Sequence, residues 1–216
     1  MRQVTSTDPE QAMIIRMISS LPNMNVSFSF RNSTLSMVEL KTKLISLVPK
    51  VFEFKAVLES GLGSNKAFKN LFKTMVEVAH SDALSTYQEA LGKLDRYMEN
   101  FGSTPVNSQY ADLFRQEGDK HAKAVAIEEF FMDLSEKLSQ AIVAVGEARI
   151  GLIEDITSVI DKEITVPGES SQLVLSAQRA RAEINNTITR IEELRDAMSE
   201  YCELQMALNA TCVTRF

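Results

Sequence analysis

The chain has no tryptophan, two histidines, two cysteines, eight glycines and five prolines among its 216 residues. Each scarcity excludes something. A sandwich or barrel needs many turns, and an alternating α/β fold needs one every ten to twenty residues or so, so turn formers this rare point to long helices. Two cysteines cannot staple a chain of this length. Cys202 and Cys212 form no CxxC and read as free thiols in a reducing compartment. No window of about 18 residues is apolar enough to span a bilayer. Arg2 occupies the place where a myristoylation signal needs glycine, and no early apolar run follows a basic start, so a cytoplasmic protein, peripheral to membranes, is expected.

What is present is a globular balance, 44% hydrophobic and 24% charged, with a net charge of -6. The charge is uneven. Residues 1–75 carry ten Lys/Arg against five Asp/Glu, and residues 76–216 carry 13 against 24. A basic first third, at +5, precedes an acidic remainder at -11. With a pI near 5.1 and no recognition motif, no nucleic-acid partner is expected.

Residues 1–34 read as an N-terminal amphipathic segment. Asp8-Pro9-Glu10 is a helix start, with Asp as cap and Pro at the first helical position. Met13, Ile14, Met17, Ile18 and Leu21 then recur at helical spacing until Pro22. A helix of roughly a dozen residues is marginal alone and must pack on the body, on a partner or on lipid. Val26-Ser-Phe28-Ser-Phe30 alternates with period two. No convincing second strand is nearby, so an extended segment is expected there.

From Leu35 the spacing is helical. Ser36-Met-Val-Glu39 has the form of a capping box, with Ser33 or Thr34 as other possible caps. Apolar positions continue through Leu40, Leu44, Val48, Val51, Phe54 and Leu58, with Pro49 as an expected kink and Gly61–Asn65 as an interruption. Leu84, Tyr87, Leu91, Leu94, Met98 and Phe101 alternate in steps of three and four, a heptad seam. Gly102–Pro105 ends it. A second long helix is expected over about Ser108–Ile164, with Phe131, Leu134, Leu138, Ala141, Val145, Ala148 and Leu152 as its seam. At ~1.5 Å per residue it would reach about 85 Å. Pro167-Gly168 breaks it. A third is expected over about Glu169–Leu208, with Ala177, Ala180, Ile184, Thr187, Ile191, Leu194, Met198 and Tyr201, followed by a tail at 209–216. The expected fold is all-α: an elongated antiparallel three-helix coiled coil over residues 35–208 with a short N-terminal amphipathic helix. Seams this long favour a homodimer.

Little in the chain nominates chemistry. Glu77-Val-Ala-His80 is half of a di-iron helix motif, and the other histidine, His121, has Gly118 where the second glutamate should stand. Glu117 and His121 fit an ordinary helical pair. Gly61-x-Gly63 lacks a third glycine and follows a helix, unlike a phosphate loop. No catalytic residue, metal ligand or cofactor is nominated, and no enzyme activity is expected. The sharpest local feature is Lys66-Ala-Phe68-Lys69-Asn-Leu71-Phe72-Lys73, which puts aromatics on one face and lysines on another. It fits an anionic lipid surface or an acidic partner, and it fits better as core aromatics beneath a solvated face.

The layout resembles a BAR domain. The stretch Tyr87–Gly102 is similar to the end of that family's first helix, and Ile153–Ile164 to the end of its second. The resemblance spans about residues 35–208 and implies a crescent-shaped homodimer that binds anionic phospholipid membranes and senses or shapes curvature in vesicle trafficking. The residues expected to meet lipid are Met13, Ile14, Met17, Ile18, Lys41, Lys43, Lys66, Lys69 and Lys73. One departure is the segment Asp161–Glu169 between the second and third helices, acidic where a membrane-binding tip would be basic. Within the same fold the alternative is a coiled-coil scaffold or adaptor that binds proteins, such as a small GTPase, without lipid.

Overall fold

The computed structural model describes residues 8–61, 82–99, 119–164 and 170–215. Among them are five helices and one two-stranded sheet: α1 Pro9–Ser20, β1 Ser27–Phe30, β2 Ser33–Ser36, α2 Met37–Glu59, α3 Ala83–Glu99, α4 Lys120–Ile164 and α5 Ser170–Arg215. The fold is thus mostly helical.

The helix starts follow from local chemistry. Asp8 caps α1, its Oδ1 accepting the Glu10 N–H at 2.9 Å, and Pro9 takes the first turn, where no N–H is needed. Ser36 and Glu39 form the reciprocal box of α2: the Ser36 N–H donates to the Glu39 carboxylate at 2.7 Å, and the Glu39 N–H donates to Ser36 Oγ at 3.3 Å. The Ser36 N–H, and after it the Ser36 hydroxyl donating to the same carboxylate oxygen at 2.7 Å, hold the exposed Glu39 carboxyl below its ordinary range. Asp119 caps α4 by accepting the N–H groups of His121 and Ala122. That cap marks a helix start inside the span Ser108–Ile164, which was expected to be one unbroken helix; residues 108–118 lie outside the described ones. α2 continues through Pro49, which is exposed, so water can serve the carbonyl that the missing N–H leaves free.

Two expectations are corrected. The segment Val26–Phe30 is not merely extended. Its residues 27–30 pair antiparallel with Ser33–Ser36, placing Phe28 opposite Leu35 across a two-residue turn. Phe28, Phe30 and Leu35 are buried, so the hairpin is held by one apolar face. Arg31 in the turn has φ 50°, a left-handed conformation uncommon for a side chain of this size. The second correction is at the C-terminus, where α5 runs on to Arg215 instead of ending at Leu208.

The described residues fall into two compact units. Unit 1 takes residues up to Glu53, Glu99, Asp119–Glu136 and those from Arg195 onward. Its core includes Ile14, Ile18, Phe28, Leu40, Leu44, Phe131, Leu134, Met198, Tyr201 and Leu204. A buried bond ties two of its helices: Asn209 Nδ2 donates to the Ala124 carbonyl at 2.7 Å.

Unit 2 takes Phe54–Gly61, Asp82–Met98 and the parts of α4 and α5 from Lys137 to Leu194. Here the expected seam positions Leu84, Tyr87, Leu91, Leu94 and Met98 are all buried, as are Leu138, Ala141, Val145, Leu152, Ala177, Ala180, Ile184, Thr187, Ile191 and Leu194. α3 and α4 run antiparallel. Lys137 Nζ lies 5.9 Å from the centre of the Tyr97 ring, and a Cβ on Gly151 would stand 4.0 Å from that of Ala83. Fourteen residues back along α3 correspond to fourteen forward along α4. Gly61, just beyond α2, is required by close approach. A Cβ there would lie 2.9 Å from Thr187 Cγ2 and 3.3 Å from Leu91 Cδ1, and Thr187 is buried and branched at Cβ.

Gly61→Ala should therefore destabilise the protein by about 1–3 kcal/mol through overpacking. Thr187→Ser, which removes the clashing methyl, should recover part of that loss in the double variant. Urea denaturation of the four proteins measures the coupling, and simple additivity would contradict the clash.

Candidate functional site

Among the described residues, a concave surface lies between two helices of unit 2. α3 contributes Ala83, Thr86, Glu89, Ala90 and Lys93; α4 contributes Ala144, Glu147, Ala148 and Gly151. Together they line a groove of about 480 Å³. It exists because facing positions on antiparallel helices are alanine or glycine, too short to fill the gap. Its floor is apolar and its polar groups stand at the rim, where Lys93 pairs with Glu89 at 3.0 Å one helical turn away. Beside it on α4, Val143 and Ile150 are 60% and 54% exposed. They lie seven residues apart, so they share a face, and Glu147 falls between them.

The residues expected to meet lipid are arranged differently. Ile14 and Ile18 are buried in unit 1 at 5% and 6% exposure. Met17 is half-buried, and Met13 is 42% exposed. Lys41 reaches back from α2 to the end of α1, donating to the Leu21 carbonyl at 2.7 Å and to Asn23 Oδ1 at 3.0 Å. Lys43 pairs with Glu200 of α5 at 3.4 Å. Lys66, Lys69 and Lys73 lie outside the described residues. The described members of the set therefore bring α1 and α2 together within unit 1, with Met13 alone strongly exposed among the apolar ones.

Sequence reasoning missed a second polar tie. Arg31, at the hairpin turn, makes two bonds to Glu203 of α5, Nε to Oε2 at 3.0 Å and Nη2 to Oε1 at 3.1 Å. This forked pairing suits a guanidinium and not an ammonium. It holds the Glu203 carboxyl below its ordinary range, the hydrogen bond from Arg31 being the largest cause. The two residues are 172 apart in sequence, so no local pattern could have shown it.

Among the described residues, the other reactive types form no cluster. Cys202 is a free, buried thiol, and burial pushes it up to about 12, far from the thiolate that nucleophilic chemistry needs. His121 is exposed near the start of α4, and Glu77, His80 and Glu117 lie outside the described residues. Among the described residues no cluster of His, Cys, Asp and Glu could hold a metal ion, and no helix is long and apolar enough to cross a membrane. Comparisons with protein-family models, curated proteins and solved structures give no match to this chain.

The Arg31–Glu203 pair sets a pH dependence. The folded chain binds the Glu203 proton less readily than the unfolded chain, whose carboxyl titrates near ~4.3. The pair's stabilisation is present above that value and is lost as pH falls through the depressed folded value. Arg31→Gln should remove this part of the acid limb, so the gap in Tm between wild type and variant should narrow as pH falls below the unfolded carboxyl range. A gap that stays constant down to acid pH would show that the pair does not set it.

Proposed function

We propose that this chain is a binding module rather than a catalyst, and that its groove between α3 and α4 receives an amphipathic helix of a partner protein. The observation that carries this reading is the conjunction of that groove with two exposed, same-face apolar residues, Val143 and Ile150. Alanine and glycine floors let a third helix approach closely, and the flanking side chains supply apolar contact at its margin. Glu147, exposed between Val143 and Ile150, favours a partner helix with a cation beside its apolar strip. This is the adaptor reading of a helical scaffold.

A second reading, favoured by α1, is the BAR-like one: an antiparallel three-helix coiled coil, homodimeric, at an anionic membrane. What supports it is the exposed Met13 on an amphipathic helix in the basic part of the chain. It requires Ile14 and Ile18 to leave their burial sites before they can meet lipid.

The two readings part on one variant. Ile150→Lys puts a charge on an exposed position, three residues from Glu147, and should leave thermal stability unchanged. It should weaken binding of a synthetic Leu/Ala/Lys amphipathic helix at least about tenfold, because an apolar contact is replaced by a cation that repels the peptide's lysines. Fluorescence anisotropy of the labelled peptide measures this, and equal affinity in both proteins would remove the groove as its site.

A further inference from the structure

α1 has an unusual dependence on the rest of unit 1. Its N-terminus is self-sufficient, with Asp8 as cap and Glu10 in the first turn. Its C-terminus is not: the last turn contains no basic residue, and the cap residue Leu21 offers its carbonyl outward. The cation that a helix C-terminus favours is supplied from another helix, by Lys41 of α2, which also holds Asn23 just beyond the cap. Helices of this length are marginal in isolation. α1 is therefore held by two things only partly its own: burial of Ile14 and Ile18, and one ammonium donated in trans.

We infer that α1 is a releasable strap, that Lys41 is its latch, and that an anionic lipid surface is what opens it. The inference rests on the lipid reading above and gives it a mechanism. Opening needs two things at once: an anion to draw the Lys41 ammonium away from the Leu21 carbonyl, and an apolar phase to accept Ile14 and Ile18 when they leave the core. A free phosphate offers the first alone. An anionic bilayer offers both, and Met13, already exposed at 42%, is the side chain placed to touch it first. The role of Lys41 then differs in sign from that of a simple head-group ligand. A ligand lysine strengthens membrane binding, whereas a latch lysine restrains it.

Lys41→Gln separates the two, and Asn23→Ala removes one latch contact while keeping the charge. Hydrogen exchange of the full chain in solution should quicken about tenfold over α1 in Lys41→Gln and less in Asn23→Ala, with residues 177–194 unchanged. Co-sedimentation with vesicles of phosphatidylserine and phosphatidylcholine in equal parts should rise for both variants, while inorganic phosphate alone should leave α1 exchange as it is in the wild type. Unchanged α1 exchange in Lys41→Gln, or an increase everywhere, would overturn the latch. Faster exchange with weaker pelleting would overturn it too, making Lys41 a head-group ligand and leaving the lipid reading intact. Faster exchange with no pelleting of any variant would overturn lipid as the opener and, with it, the lipid reading.

Discussion

Burial of the heptad-spaced stripes is the constraint on which the rest depends. A helix that must bury side chains at alternating steps of three and four has a fixed inner face, and everything else follows from what remains outside. In unit 2 the inner face takes Leu84, Tyr87, Leu91 and Leu94 from α3 and Val145 and Leu152 from α4. Bordering that face are Ala83 and the buried Ala90 on one helix and Ala144, Ala148 and Gly151 on the other. Larger residues there would have closed the helices into a smooth ridge. Small ones leave a groove, and Val143 and Ile150 beside it gain nothing from the fold by being apolar. Exposure of two large apolar side chains on one face next to a concave floor is therefore the feature least explained by stability alone.

The charge asymmetry has a different meaning once contacts are known. A basic first third joined to an acidic remainder suggests an end that faces a partner. Within unit 1 part of that asymmetry is satisfied internally. Arg31 meets Glu203, and Lys43 meets Glu200, so basic residues of the early chain sit against acidic residues of α5. These are partly exposed pairs, and each contributes modestly. Their effect is on placement. They fix the hairpin and α2 against α5 while Phe28, Phe30 and Leu35 supply apolar contact. The left-handed Arg31 fits this account, since a strained turn residue persists where its surroundings determine it.

Much of the helical architecture was legible because its signals are local and periodic. Asp8-Pro9 and the Ser36–Glu39 box are caps whose geometry lies within four residues. The seam positions repeat often enough for the period to be unambiguous. The hairpin was harder to see because its second strand, Ser33–Ser36, holds one apolar residue and runs directly into a helix cap. Its turn is Arg31-Asn32, without the glycine that marks most tight hairpins. The extension of α5 beyond Leu208 was hidden because Asn209 looks like a polar terminus. It is buried, and its amide serves the Ala124 carbonyl of another helix. The site was less legible still. Met13, Ile14, Met17 and Ile18 show that α1 is amphipathic, but a period cannot say whether the apolar face meets the body or a lipid.

That ambiguity is physical as well as inferential. The same stripe that seats α1 on unit 1 would seat it in a bilayer, because both environments reward removal of Ile14 and Ile18 from water. What differs is the polar partner at the helix end. On the protein, the Leu21 carbonyl has the Lys41 ammonium at hydrogen-bond distance. At an anionic surface, the same ammonium has phosphate oxygens to choose instead. If lipid binds α1 as proposed, removal of Ile14 and Ile18 from water is common to both states, and the contact of Lys41 with the Leu21 carbonyl is what distinguishes them. The groove of unit 2 is set by rigid seams and has no such alternative. A helix partner seated there would need no rearrangement of α3 or α4, whereas lipid binding through α1 would need Ile14 and Ile18 to leave their burial sites. This difference in reorganisation is why the groove is proposed as the primary binding surface and α1 as a conditional one.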